Sequence, residues 1–227
     1  MLQTVLYASV RLMLRFYAGL MLKMDIHHKG LLPAGPKIFV PNHPSATDPF
    51  MIHLVSREQM NVLITETAFS VPVFGWFLQK VREIPVPLEN GGVSLDHACR
   101  TLQEGRSVVI FTEGQISPPD GSFWPPRTGA ARLALRTGVP VIPVGIFLRR
   151  ELGTTIRSKI AGSHTEGYWY LRGPYAMTIG QPMQFCGDCE DRQYVRQVTE
   201  TIMHQIRLLA HESEQRTKRL NLAVSSM

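Results

Sequence analysis

The sequence predicts an α/β domain built on a mixed, largely parallel sheet flanked by helices, preceded by a helical N-terminal segment. Two observations carry that prediction. Strand-like and helix-like stretches alternate along most of the chain, the pattern that brings parallel strands into one sheet. And 227 residues, 44% of them hydrophobic, suffice for one well-buried core but not for two independent ones. The expected organisation is an N-terminal segment over 1–30, the α/β domain over 31–215 and a flexible, frayed tail over 216–227.

The opening run MLQTVLYASVRLMLRFYAGLMLKM is mostly apolar but carries Arg11 and Arg15 in its middle. No small-residue cleavage site follows it, so it does not read as a signal peptide. Two mid-depth charges also make it a poor membrane-spanning helix. Spaced four apart, the arginines share one helical face, with apolar side chains over most of the remainder. Such an amphipathic helix suits the membrane interface, its arginines reaching lipid phosphates. Packing against a protein core is the plainer alternative.

Next come runs rich in Val and Ile, at 37–40, 62–65, 83–86, 108–112 and 141–147, which read as strands. Residues 49–56, 92–104 and 128–137 read as helices, with Gly91, Gly92 and Gly105 marking helix ends. Residues 168–171 and 177–179 look like a late hairpin or edge pair. Tyr194, Val198, Ile202, Met203, Ile206 and Leu209 keep helical spacing, giving the last helix one apolar stripe.

The net charge of +6 and a pI near 9.5 imply an anionic partner. Scattered arginines and the lack of a binding motif disfavour nucleic acid. Three cysteines are too few, and odd in number, for a secreted disulfide framework. Cys186 and Cys189 have redox or zinc spacing, but a second ligand pair is not evident, and an incidental pair is the simpler reading.

The stretch VPNHPSATDPFM, Val40 to Met51, is the most informative. His43 lies in a polar, proline-bracketed turn between a strand and a helix, and Asp48 follows five positions later. With eight His and six Asp in the chain, that spacing arises about 0.2 times by chance, so the spacing is weak evidence by itself. The position adds weight, because ligands bind open α/β sheets at the carboxyl ends of strands. Asp48 is placed to cap the helix that follows. It is also placed to take the Nδ1 proton of His43, leaving Nε2 as a base. No G-x-S-x-G motif supplies a nucleophile, and Ser45 has no supporting signature. A base without an enzyme nucleophile suggests that the substrate brings its own hydroxyl or amine.

Asn42-His43-Pro44-Ser45-Ala46-Thr47-Asp48 resembles the N-H-x4-D motif of the glycerolipid acyltransferases. Further on, Ile110-Phe111-Thr112-Glu113-Gly114-Gln115-Ile116-Ser117 is similar to that family's F-P-E-G-T-R-S block. Residues 129–134 and 139–144 resemble the blocks after it, residues 72–77 and 83–86 the segment between, and 179–182 give a weaker echo. The resemblance implies a membrane-associated acyltransferase at the cytoplasmic face, using acyl-CoA or acyl carrier protein as donor. His43 and Asp48 would be the catalytic pair. Asn42, Ser45, Arg82, Thr112, Glu113, Gly114 and Arg127 would meet substrate, with main chain near Gly114 stabilising the oxyanion. For Glu113 a structural carboxylate is an equal alternative. No metal or other cofactor is required, since a thioester has a good leaving group, and membrane phospholipids are the expected surroundings.

The chain departs from the family where arginines are thought to hold the acceptor phosphate. Leu88 follows the I-P-V strand in place of a basic residue, Ile116 replaces the arginine of F-P-E-G-T-R-S, and Thr112 replaces its proline. Neither Leu88 nor Ile116 can bind phosphate. The expectation is therefore weaker use of lysophosphatidate than of a zwitterionic lysophospholipid or lyso-aminolipid, unless Arg82 or Arg127 fills the gap. A non-catalytic lipid-binding protein on the same fold is the other alternative.

Overall fold

Residues 2–88, 91–160 and 163–225 are described by the computed structural model. In chain order the elements are α1 (Leu2–Met21), β1 (Met24–His28), β2 (Ile38–Pro41), α2 (Asp48–Met51, extended by a 3-10 turn to Leu54) and β3 (Met60–Thr65). There follow α3 (Phe74–Lys80), β4 (Ile84–Val86), α4 (Gly91–Gln103), β5 (Ser107–Val109), α5 (Gly129–Thr137) and β6 (Val141–Leu148). The last are β7 (Thr154–Ile160), β8 (Ser163–Trp169), β9 (Tyr175–Ile179) and α6 (Arg192–Ser225).

Seven strands form one sheet in the order β1-β9-β6-β2-β5-β3-β4. All neighbours pair in parallel except β6 and β9, so β1 and β9 form a reversed edge on a parallel sheet. The period of two along each strand sorts side chains onto two faces. Phe39, Val62, Val109, Ile142 and Val144 face the layer formed by α1 and α2. Ile38, Val40, Val108 and Val141 face α4, α5 and α6. Both faces are covered, which is why the strands read as apolar runs. The stripe on α6 is the one expected, with Val198, Ile202, Met203, Ile206 and Leu209 all buried. Gly145 lets that helix lie directly on β6, since a Cβ there would come within 2.0 Å of the Ala210 nitrogen.

Three expectations are corrected. The N-terminal segment is not wholly helical to residue 30: Met24–His28 form a strand paired with β9. The core-packing alternative for α1 holds on one face, where Ala18, with Leu22 just past the helix, is buried in the same cluster as Phe39 and Val144. Residues 168–171 and 177–179 do not pair together; β8 forms a two-stranded hairpin with β7, and β9 enters the main sheet. Finally, α6 runs helical through Ser225, and Arg216 is held by Asp25, Thr178 and the Met177 carbonyl. The expected tail is thus docked at Arg216, while 226 and 227 lie outside the described residues.

No helix among the described residues is long and apolar enough to cross a membrane. On α1, Val5, Leu12, Met13, Phe16 and Leu20 are exposed, Leu12 and Phe16 by 70% and 74%, and Met21 at the helix end is exposed on another side. At 100° per residue the first five fall within an arc of about 100°. Arg15 is exposed about 60° beyond the edge of that stripe, whereas Arg11 turns inward to donate to the Arg57 carbonyl.

Candidate active site

β2 ends at Pro41, and the chain turns through residues 42–47 into α2 at the carboxyl ends of the parallel strands. Asn42 fixes the start of this turn. Its side-chain amide both donates to the Ile146 carbonyl (3.0 Å) and accepts from the Ile146 N–H (2.7 Å), tying β2 to β6. Ser45 fixes the middle: its buried Oγ accepts from the N–H groups of Thr47 and Tyr170, both at 3.1 Å. Asn42 and Ser45 therefore hold the turn with the polar atoms that the sequence reading assigned to substrate.

Asp48 is fully buried and sits one residue past the N-cap position, which Thr47 occupies. The expected cap is not made, because the carboxylate folds back over the turn instead. Its Oδ2 accepts from His43 Nδ1 (2.9 Å) and Ser45 N–H (2.8 Å), and its Oδ1 from the Tyr175 hydroxyl (2.6 Å). Three donors compensate the burial of this charge. The Tyr175 phenol is pushed well above its ordinary range, first by burial and then by the Asp48 charge beside it. It remains a donor, and nothing in the local sequence of β9 announced that role.

The His43 ring stacks on Phe111, centroids 4.2 Å apart, and its side chain is 14% exposed. With Nδ1 committed to Asp48, Nε2 has no protein partner among the described residues. That is the arrangement of a positioned base, one nitrogen held by an acid and the other open to a substrate proton.

Glu113, also buried, grips the same turn from the other side. Its Oε1 accepts from the His43 N–H (3.0 Å) and the Ser117 hydroxyl (2.6 Å), and its Oε2 from the Trp124 N–H (2.9 Å). Of its two expected roles the geometry fits the structural carboxylate. The Gly114 N–H closes a turn onto the Phe111 carbonyl (3.1 Å), so it is not free to meet an oxyanion. Gly114 has φ +68°, and a Cβ there would meet Arg127 Nε at 2.5 Å. The Arg127 guanidinium thus lies across the glycine, beside the His43 turn. Thr112 is buried with an unpartnered Oγ1.

Arg82 is not brought to this site. It precedes β4 at the amino ends of the strands, with its carbonyl on Asn61 and its charge near Glu104. Of the two arginines expected to replace the missing ones, only Arg127 lies at the carboxyl ends. Cys99, Cys186 and Cys189 are free, and no metal-holding group of three His, Cys, Asp or Glu occurs among the described residues.

Fold and turn together define an α/β protein with a histidine–aspartate dyad at the carboxyl ends of its sheet. Residues 23–147 match the protein-family model described as Acyltransferase, more than half of the chain, and the chain belongs to that family. It is 34% identical over 131 residues to a chloroplastic 1-acyl-sn-glycerol-3-phosphate acyltransferase of Brassica napus, covering 55% of this chain and 37% of that protein. A chloroplastic enzyme of the same name from Arabidopsis thaliana is 30% identical over 131 residues, 55% of this chain and 36% of its own. The chain thus spans little more than a third of the matched relatives' length. The crystal structure of the 1-acyl-sn-glycerophosphate acyltransferase PlsC from Thermotoga maritima shares the fold. Its TM-score is 0.61 at 21% identity, over 89% of this chain and 80% of that one.

Proposed function

We propose that the protein transfers a fatty acyl group from an acyl thioester, acyl-CoA or acyl carrier protein, to the hydroxyl of a lysophospholipid-type acceptor. The observation that carries this reading is the His43 Nδ1–Asp48 hydrogen bond with Nε2 left open. Nε2 takes the acceptor's hydroxyl proton as its oxygen attacks the thioester carbonyl. Asp48 holds the tautomer and stabilises the imidazolium that forms. Collapse of the tetrahedral intermediate breaks the C–S bond, and the imidazolium proton leaves with the thiolate as thiol.

For the acceptor, Arg127 beside Gly114 is the one candidate phosphate ligand that the turn carries, and it supports a phosphate-bearing acceptor such as lysophosphatidate. The names of the matched relatives point the same way. A second reading, an acceptor whose phosphate is absent or capped, is favoured by the apolar Ile116 and by Leu88, 84% exposed where the family carries a base. Competing lysophosphatidate against lysophosphatidylcholine with labelled acyl-CoA separates the two. A preference for lysophosphatidate lost in Arg127→Ala supports the first, and a preference for the zwitterion supports the second. Transfer to neither, with folded protein, overturns the proposal.

The exposed stripe of α1 supports action at a membrane surface. Because Ala18 and Leu22 belong to the core, deleting the helix would damage the fold; Leu12→Glu with Phe16→Glu is the cleaner test. The double variant should be released from anionic liposomes that retain the wild type. Equal sedimentation would place the membrane contact elsewhere.

A further inference from the structure

The His43 ring has one neighbour that hydrogen bonding does not explain. The Phe111 ring lies nearly parallel to the imidazole, 28° apart with centroids at 4.2 Å. β5 puts it there. Phe111 follows Val109 by two positions, so the period of two carries it to the same face of the sheet, into the cluster of Phe39, Met51 and Val144. The core holds the ring, which is 8% exposed, and the Gly114 N–H ties its carbonyl. Packing accounts for an apolar residue at 111, but a leucine would meet that need. The stacking is more specific. A second histidine, His53, meets Tyr7 edge-on, at 80° and 5.5 Å, in a contact that also carries a hydrogen bond between the phenol and Nδ1. His43 instead sets its face against a face. An aromatic face carries partial negative charge, so it favours a cation lying over it.

The His43 ring carries such a charge once Nε2 has taken the acceptor's proton. We propose that Phe111 is a positioning residue of the dyad, which fixes the plane of the His43 ring and stabilises its imidazolium form through the face of its own ring. The other titratable groups around the turn are Asp48 at Nδ1, with the Tyr175 hydroxyl behind it, Glu113 at the His43 N–H, and Arg127 across Gly114. The two carboxylates favour the cation and Arg127 opposes it. Phe111 adds to the favourable side without a charge of its own. It can therefore sit in the core, where a third carboxylate would need donors to offset its burial. The inference rests on the acyl-transfer reading for the step at which the charge forms, but one of its tests needs no turnover.

Fluorination of the Phe111 ring is the decisive test, because each fluorine drains charge from the face while shape and apolarity change little. Phenylalanine carrying one, two or three ring fluorines, placed at position 111 alone in the full chain, should leave thermal melts unchanged. Transfer should slow stepwise, by about three- to tenfold in the trifluoro protein. kcat and kcat/KM should fall together, since the charge forms only after binding. With less to hold the imidazolium, the ring gives up its proton at lower pH. The acid limb of kcat/KM should therefore move to lower pH by about half a unit to one unit across the series, as a factor of three to ten requires. The ring-proton NMR signal of His43, assigned by its absence in His43→Ala, should titrate with the same displacement, and that readout needs no substrate. Phe111→Leu, which keeps the apolar contact and loses the aromatic face, should resemble the trifluoro protein. A flat fluorine series would overturn the assignment. So would a loss of rate with the acid limb and the NMR titration unmoved, which is what a loosened core alone would give. Should the NMR titration move along the series while no acyl transfer is seen, the proposed activity falls and the stacked pair stands.

Discussion

The turn around Asp48 and the turn around Glu113 each bury a carboxylate almost completely, and each carboxylate accepts three hydrogen bonds. They differ in what donates. Glu113 is met by two backbone N–H groups and a serine, so it fixes main chain, including that of His43 itself. Asp48 is met by one backbone N–H and by two side chains that can reorient, the His43 ring and the Tyr175 hydroxyl. One carboxylate positions where the histidine stands; the other positions how its ring is protonated. Equal burial therefore does not mean an equal role, and the chemistry of the donors separates scaffold from catalyst.

The largest effect should come from removing the base. His43→Ala should reduce transfer by more than about a hundredfold, the usual contribution of a positioned base, with the fold retained. The ring is held at the rim of the site, and neither carboxylate loses its backbone donors. Near-normal turnover by folded His43→Ala protein would end the comparison, because neither carboxylate would then serve catalysis.

Asp48→Asn comes next. An asparagine can keep its oxygen toward His43 and Ser45 and turn its amide to Tyr175, whose hydroxyl rotates to accept. The structure should tolerate the change, while the imidazolium loses its counter-charge. Single-turnover rates should fall between about tenfold and a hundredfold at nearly unchanged thermal stability. Glu113→Gln should invert that order. Its amide must face either the Trp124 N–H or the His43 N–H, and neither can become an acceptor. Leaving one such donor unsatisfied costs about 1–3 kcal/mol, visible as a lower urea midpoint, with activity falling less than in Asp48→Asn. If the two variants showed the same ratio of activity loss to stability loss, the proposed division of labour would be wrong.

How much of this was legible beforehand follows from where the interactions run. Most strands and helices between 37 and 147 were readable because their periodicity is local, although α3 (Phe74–Lys80) was not read as a helix; His43 with Asp48 was readable because both lie on one turn. The edge was not. Met24–His28 has no strong strand pattern, and it becomes a strand only because β9 offers it a partner more than a hundred residues away. For the same reason Tyr175 escaped notice: its contact with Asp48 spans 127 positions. Arg82 and Arg127 look alike as spare cations in sequence, and only the topology sends one to each end of the sheet. The blocks shared with the acyltransferase family named the neighbourhood, but the donors that distinguish Asp48 from Glu113 come largely from tertiary packing.

Tyr175 allows the finest test of the comparison. Tyr175→Phe removes one of three donors from Asp48 but leaves the two on Oδ2, so transfer should fall only about three- to tenfold. A second readout follows from protonation. Burial lifts the Tyr7 phenol to about 12 and Tyr175 well above its ordinary value of 10.0. From pH 10 upward the unfolded chain releases phenolic protons that the fold still holds. The stability these groups contribute is therefore complete below pH 10 and is lost as pH rises, each adding a slope of at most about 1.4 kcal/mol per pH unit. The wild type should lose stability steeply between pH 10 and pH 12, as urea unfolding would measure. Tyr175→Phe should be less stable than wild type at pH 9 yet decline more shallowly, because one of those phenols is gone. A variant with normal turnover and an unaltered alkaline slope would mean that the hydroxyl does not hold Asp48, and that the dyad is oriented from the turn alone.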